Sequence, residues 1–178
     1  IGILPFYHIY GMVCLLSGAL RVGATIVTMP RFDLEQFLSL IEKHKVTMGY
    51  IVPPIVLALA KHPAVENYDL STLKDVLSGA APLPEPVARA CAERNNLLVR
   101  QGYGLTETSP VTHFNPRDHE IKITSVGPAA PSTRYRVIDV STGKDASPGE
   151  LGEIWIDGPQ VMKGYLNNPD ATQAMIDE

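Results

Sequence analysis

The sequence predicts an α/β fold. A mostly parallel sheet flanked by helices is expected over residues 1–120, followed by a small antiparallel β subdomain over 121–178 that ends on the start of another helix. Three observations predict it. From residue 1 to about 96, short β-branched runs alternate with stretches of helical period, the order that builds parallel sheets with packed helices. After about Thr112, polar turns such as Asn115-Pro116 and Ser141-Thr142-Gly143 separate short β-rich runs. Hydrophobic residues make up 45% of the 178-residue chain and charged residues 19%, enough to bury a core.

Taken in order, residues 1–4 read as a short strand and 11–22 as a largely buried helix. Residues 25–29 are β-branched and short, which suits a buried strand. Asp33 can cap a helix through Lys45, with Leu34, Phe37, Leu38 and Ile41 on one face. A strand over 46–52 is stopped by Pro53 and Pro54, and Pro54 can open the next helix, through Lys61. Residues 74–77 form another strand, 84–94 a helix and 97–100 a strand. In the later part, 135–140 and 152–157 are the clearest strands, and Asn168-Pro169 opens a helix. No internal repeat or low-complexity tract interrupts this order.

Charge and composition exclude several function classes. The formal net charge is -4, so no basic field is expected to hold nucleic acid or an anionic membrane. The longest apolar stretch, 9–20, is too short to span a bilayer. Cys14 and Cys91 lack metal-type spacing, which suits a reduced, cytoplasmic setting. The chain starts with Ile1 on an apolar run and stops at Glu178 within a helical pattern, so a segment of a longer protein is expected.

Four strings carry chemistry. Gln101-Gly102-Tyr103-Gly104-Leu105-Thr106-Glu107-Thr108 follows a strand, where open α/β sheets bind ligands. Gly102 and Gly104 permit close backbone approach and positive φ. Tyr103 offers an aromatic face to a nucleobase, Thr106 a hydroxyl to a phosphate oxygen, and Glu107 a hard carboxylate to Mg²⁺. The plainer alternative is a glycine-rich turn with a capping Thr and an exposed Glu. The second string, Ser78-Gly79-Ala80-Ala81-Pro82-Leu83-Pro84, keeps a crevice open with small residues, or is an ordinary strand-to-helix turn. In the third, Pro5-Phe6-Tyr7-His8-Ile9-Tyr10-Gly11, His8 can titrate near neutrality, while the alternatives are a core histidine and a core Tyr10. The fourth, 149–158 with Gly164-Tyr165, reads as a structural β element with a glycine-rich exit. His44, His62, His113 and His119 are scattered and form no metal cluster.

As a set, PFYHIYG, MPRF, SGAAPL, QGYGLTETSPV and GELGEIWIDGPQVMKGY resemble the adenylate-forming superfamily of acyl-CoA synthetases, luciferases and peptide-synthetase adenylation domains. The 4-coumarate:CoA ligase branch matches most fully, through HIY, SGAAPLP and the Gln before GYG. The resemblance implies an ATP-dependent acid–CoA ligase that makes an acyl-adenylate and passes the acyl group to CoA, with a phenylpropanoid, cinnamate-like acid as first guess. Its cofactors would be ATP, Mg²⁺ and CoA.

By resemblance, Tyr103 would stack on adenine, with Gln101, Gly102, Ala80 and Phe114 around the nucleotide. Thr106 would touch the α-phosphate and Glu107 would hold Mg²⁺. His8 would sit at the acyl carboxylate and gate thiol entry. Tyr10, Cys14, Gly79, Ala81, Gly104, Pro110 and Val111 would line the acyl pocket, and Arg31 would meet a CoA phosphate. Residues 1–120 would be the α/β subdomain of the AMP-binding domain. The family's phosphate loop is expected before Ile1. Its ribose-binding Asp, hinge and C-terminal domain with the catalytic Lys are expected after Glu178. The segment alone is therefore expected to be inactive. A luciferase-like parent, a peptide-synthetase adenylation domain and a non-enzymatic scaffold are the alternatives.

Overall fold

The structure, a computed structural model, describes residues 1–176. Its main sheet has the order β1-β2-β3-β4, formed by Met48–Ile51, Asp75–Ser78, Leu98–Gly104 and Val111–Phe114. The first three strands are parallel, in a register that sets Ile51 beside Ser78 and Ser78 beside Gln101. β4 returns antiparallel to β3. A separate antiparallel sheet has the order β6-β5-β7, with β5 at Arg134–Asp139, β6 at Lys144–Asp145 and β7 at Glu153–Asp157. The expected mixed architecture is thus present.

The helices follow their local signals. Helix α2 covers Leu34–His44, and Asp33 Oδ1 accepts from the Gln36 N–H at 2.8 Å. That cap satisfies one of the orphan donors of the first turn. Phe37, Leu38 and Ile41 share one face and are fully buried. Helix α3 covers Pro53–Lys61, so Pro53 rather than Pro54 opens it. Both prolines fit the first turn, where a missing N–H costs nothing. Helix α4 covers Glu85–Asn95, with Pro84 as the residue before it and Asn96 closing it in the left-handed region. Val56, Leu59, Val76, Ala88 and Cys91 fill the layer between these helices and the sheet, each completely buried.

Some expectations are corrected. Residues 1–4 and 25–29 form no named strands. Gly2 makes isolated parallel bridges to Thr28 and Tyr50. Each run is followed by a proline, Pro5 or Pro30, which cannot donate to a ladder. The helix expected at 11–22 begins earlier, as a π-helix over Tyr10–Ser17, and continues as α1, Gly18–Arg21. It is not largely buried: only Tyr10, Gly11 and Leu15 are covered, and Leu20 is 65% exposed. An apolar sequence on every face reads as buried even when one stripe alone packs.

The turn expected around Gly102 and Gly104 is instead the end of β3, and neither glycine has positive φ. Close approach is what Gly104 supplies. A Cβ there would lie 1.9 Å from the Pro110 carbonyl oxygen, so any side chain would push β4 off β3. Strand β4 has no counterpart in the sequence reading.

Helix α5 covers Pro169–Met175, and Asn168 Oδ1 accepts from the Ala171 N–H at 3.2 Å. The helix expected to run on to Glu178 stops at Met175, with Ile176 already extended, and residues 177 and 178 lie outside the described residues. No helix among the described residues is long and apolar enough to cross a membrane.

Candidate functional site

Strand β2 ends at Ser78, level with Gln101, while β3 runs on through Gly104 before the chain returns beside it as β4. An open cleft of about 290 Å³ lies past these ends, with the 8–10 segment along its other wall. This is the crevice that parallel sheets offer to ligands. A wider hollow of about 1010 Å³ lies beside residues 163–176, but among the described residues Lys163 is the sole charged group on its wall. The chemistry-bearing residues converge on the smaller cleft.

The wall from β2 is made by Leu77, Ser78, Gly79 and Ala80. Ala80 has a positive φ of 69°, which swings the chain out of the strand direction. Opposite it stands Tyr10, 8% exposed, whose hydroxyl donates to the Leu77 carbonyl at 2.8 Å. Burial pushes the Tyr10 phenol far above its usual range, so it stays a neutral donor. A Cβ on Gly79 would come within 3.4 Å of the Tyr10 ring. Tyr10 is therefore a satisfied core aromatic and a cleft wall together. His8 is exposed at the rim, and its Nδ1 accepts from the Tyr10 N–H at 3.1 Å. That bond fixes the ring through one nitrogen and leaves Nε2 for another partner.

The wall from β3 carries Gly102, Tyr103 and Gly104, with Pro110, Val111 and Phe114 from the returning strand. The Tyr103 ring lies 6.2 Å from that of His113, which lies 4.8 Å from the Tyr135 ring of the second sheet. Burial lowers the His113 pKa, which favours the neutral ring in this stack.

Thr106 and Glu107 lie on a single 3₁₀ turn, Thr106–Thr108. Thr108 ties that turn together. Its hydroxyl donates to the Pro110 carbonyl at 2.6 Å and accepts from the Leu105 N–H at 3.0 Å. Glu107 Oε1 accepts from the Tyr165 hydroxyl at 2.6 Å, which holds the carboxyl below the usual carboxylate range.

Twelve of the expected site residues thus line one cleft: His8, Tyr10, Gly79, Ala80, Gly102, Tyr103, Gly104, Thr106, Glu107, Pro110, Val111 and Phe114. Four do not line it. Gln101 is buried, and its side-chain amide donates to the Ile123 carbonyl at 2.6 Å. Cys14 is half-buried, with its thiol pushed up to about 11 by burial. Ala81 and Arg31 are exposed.

Sequence reasoning missed Ser78, Thr108 and the charged group behind the cleft. Asp75, 1% exposed, accepts from Arg100 Nε at 2.9 Å and Arg100 Nη2 at 2.6 Å, and also from Arg117. Arg100 Nη1 donates to the Asn115 carbonyl at 2.8 Å. The available signal was a charge inside each of two short strands, since buried charges are almost always paired.

No ligand accompanies the chain, so the fit of a nucleotide is judged from the polar groups left over. The Ser78 hydroxyl is buried at the cleft and has no hydrogen-bond partner among the described residues. Glu107 keeps its second oxygen, and no group of three metal-type ligands exists among the described residues. A cation here would need ligand oxygens beside the one carboxylate. A Mg²⁺–nucleotide fits that donor set.

An aromatic face, a hydroxyl and a carboxylate meet in one cleft at the carboxyl ends of parallel strands, where open α/β sheets take ligands. Residues 1–166 match the AMP-binding enzyme family, and the chain belongs to it. Over 181 residues it is 46% identical to 4-coumarate–CoA ligase 1 of Solanum tuberosum, covering 99% of this chain and 33% of that protein. ATP-bound MatB from Rhodopseudomonas palustris matches with a TM-score of 0.88 at 31% identity, over 97% of this chain and 34% of the other. A red-emitting luciferase from Phrixothrix hirtus matches at 0.81 and 36% identity, over 99% of this chain and 31% of the other. The chain spans about a third of the length of the curated relatives it matches.

Proposed function

We propose that the protein containing this chain is an ATP-dependent acid–CoA ligase working through an acyl-adenylate, with a cinnamate-like acid as substrate. The observation that carries this reading is the meeting of His8, Tyr103, Thr106 and Glu107 in one cleft. The identity to 4-coumarate–CoA ligases supports the acid and the thiol acceptor. Both cysteines are free, which suits a reducing, cytoplasmic setting.

Adenine stacks on Tyr103, between Ala80 and Phe114. Thr106 hydrogen-bonds the α-phosphate as the acid carboxylate attacks it and pyrophosphate leaves, and placement of the two reactants supplies much of the rate. Glu107 would hold Mg²⁺, which would neutralise phosphate charge. His8 Nε2 faces the acyl carboxylate, and the acyl group lies along Tyr10, Gly79, Gly104, Pro110 and Val111. Gln101 acts from behind by fixing the 123 loop, and Arg31 meets CoA from outside the cleft. Cys14 and Ala81 shape the acyl pocket at one remove.

Among the described residues no lysine or arginine lines the cleft. Transferring a nucleotidyl group needs cations or donors on the phosphate oxygens. The 178-residue chain alone is therefore inactive, and the rest of the protein supplies those contacts. The test is acid-dependent ATP–pyrophosphate exchange by the full-length protein against an acid panel, with the product assayed as thioester. Exchange and thioester with aromatic acids support the reading. Light without thioester would favour the luciferase-like alternative. Exchange by the isolated chain above a Glu107→Ala control would show that the chain needs no further part.

A further inference from the structure

We infer that Tyr165 is a positioning residue that orients the Glu107 carboxylate toward a divalent cation, an inference that rests on the nucleotide reading above. The Tyr165 hydroxyl reaches Glu107 Oε1 across 58 residues of chain at 2.6 Å. A second bond joins the same segments: the Met162 N–H donates to the Glu107 carbonyl at 2.8 Å. One bond grips the side chain and the other the main chain. Together they hold the segment leaving β7 against the turn that carries Glu107.

Tyr165 is itself fixed in place. Its N–H donates to Thr172 Oγ1 at 2.9 Å, and that hydroxyl donates to the Asn168 carbonyl at 2.9 Å. Gly164 precedes it with φ +145°, and a Cβ there would lie 2.7 Å from Thr172 Cγ2. Glycine is therefore required for the chain to pass so close to α5 and bring the phenol to Glu107.

The chemistry explains the arrangement. A glutamate at a cleft rim has several rotamers, and freezing one on binding a metal costs entropy. A phenol donating to the carboxylate is a charge-assisted bond that freezes it beforehand. It occupies Oε1 and leaves Oε2 for a hard cation. Partners of this kind behind a metal ligand typically change metal affinity by roughly 10–100-fold when removed.

The test is titration calorimetry of the full-length protein with ATP, with and without Mg²⁺, for wild type, Tyr165→Phe, Glu107→Gln and the double variant. Tyr165→Phe is expected to weaken the Mg²⁺-dependent part of ATP binding about tenfold. It should leave Mg²⁺-free binding unchanged and have no further effect in the Glu107→Gln background, since the two residues act as one unit. Equal Mg²⁺ dependence in wild type and Tyr165→Phe overturns the inference. So does the same loss with Glu107 absent, or an equal loss without Mg²⁺. Thr172→Val removes the acceptor that seats Tyr165 and leaves the phenol intact. Should Tyr165→Phe fail to fold, Thr172→Val must move the Mg²⁺-dependent part in the same direction, and no change there overturns the inference. A wild type that binds no ATP under either condition would instead overturn the nucleotide reading itself.

Discussion

Asp75 shows at residue scale how much of the site is hidden from a sequence. It is a lone acid in a short apolar strand, yet two guanidinium groups converge on it. Breaking a buried pair leaves an uncompensated charge, so Asp75→Ala should destabilise the chain by about 3–5 kcal/mol, read from the urea midpoint. A loss under about 1 kcal/mol would mean the group is solvated. Cys91 gives a pH prediction. Burial lifts its thiol to about 12 from an ordinary value of 9.0. The folded state then binds a proton the unfolded state releases. That contribution is complete below pH 9 and is lost as pH rises toward 12, with stability falling. The alkaline fall should be shallower in Cys91→Val than in wild type, when urea midpoints at pH 8 and pH 10.5 are compared. His8 and Tyr103 were legible because their residue types announce chemistry. Tyr165 was read only as part of a structural glycine-rich exit, because its partner lies 58 residues away.

At the scale of elements, α2 was readable to within a residue, because cap and period agree. Asp33 accepts at one end, Lys45 turns left-handed at the other, and Phe37, Leu38 and Ile41 fall on one face. Phe37→Ala should cost about 3–5 kcal/mol, as for other buried aromatics, again by urea midpoint. The β3–β4 pair was not readable. Its cause is the absence of a side chain at Gly104 beside Pro110, a contact that periodicity does not register. Gly104→Ala should accordingly lower the melting temperature and the acid-dependent exchange together, whereas a substitution at the solvent-facing Gly143, with nothing within 4 Å of a Cβ but φ +68°, should lower only the former. Residues 1–4 and 25–29 were over-read as strands, because apolar runs show the tendency to pair and not whether a partner is long enough.

Over the whole molecule, the sequence order of strand and helix was enough to predict a mostly parallel sheet, and the turn chemistry enough to predict the second sheet. What it left open was which loops would meet. The parallel register brings Ser78 level with Gln101, so the loop leaving β2 faces the last three residues of β3, Gly102 to Gly104, across the cleft. The first helix leaves Leu20 and Val22 exposed, and β7 leaves Trp155 41% exposed. Single apolar residues on a surface are ordinary.

The neck between β3 and β4 is a closed ring: the Leu105 N–H donates to the Pro110 carbonyl at 3.0 Å and to Thr108 within the same span. Chain length is therefore fixed on that rim. One residue inserted between 105 and 110 would open the ring and throw Thr106 and Glu107 out of alignment, while an insertion among the exposed residues 118–120 would only lengthen a surface bend. Variation in loop length within such proteins should accumulate around residues 118–120 and be purged between 105 and 110.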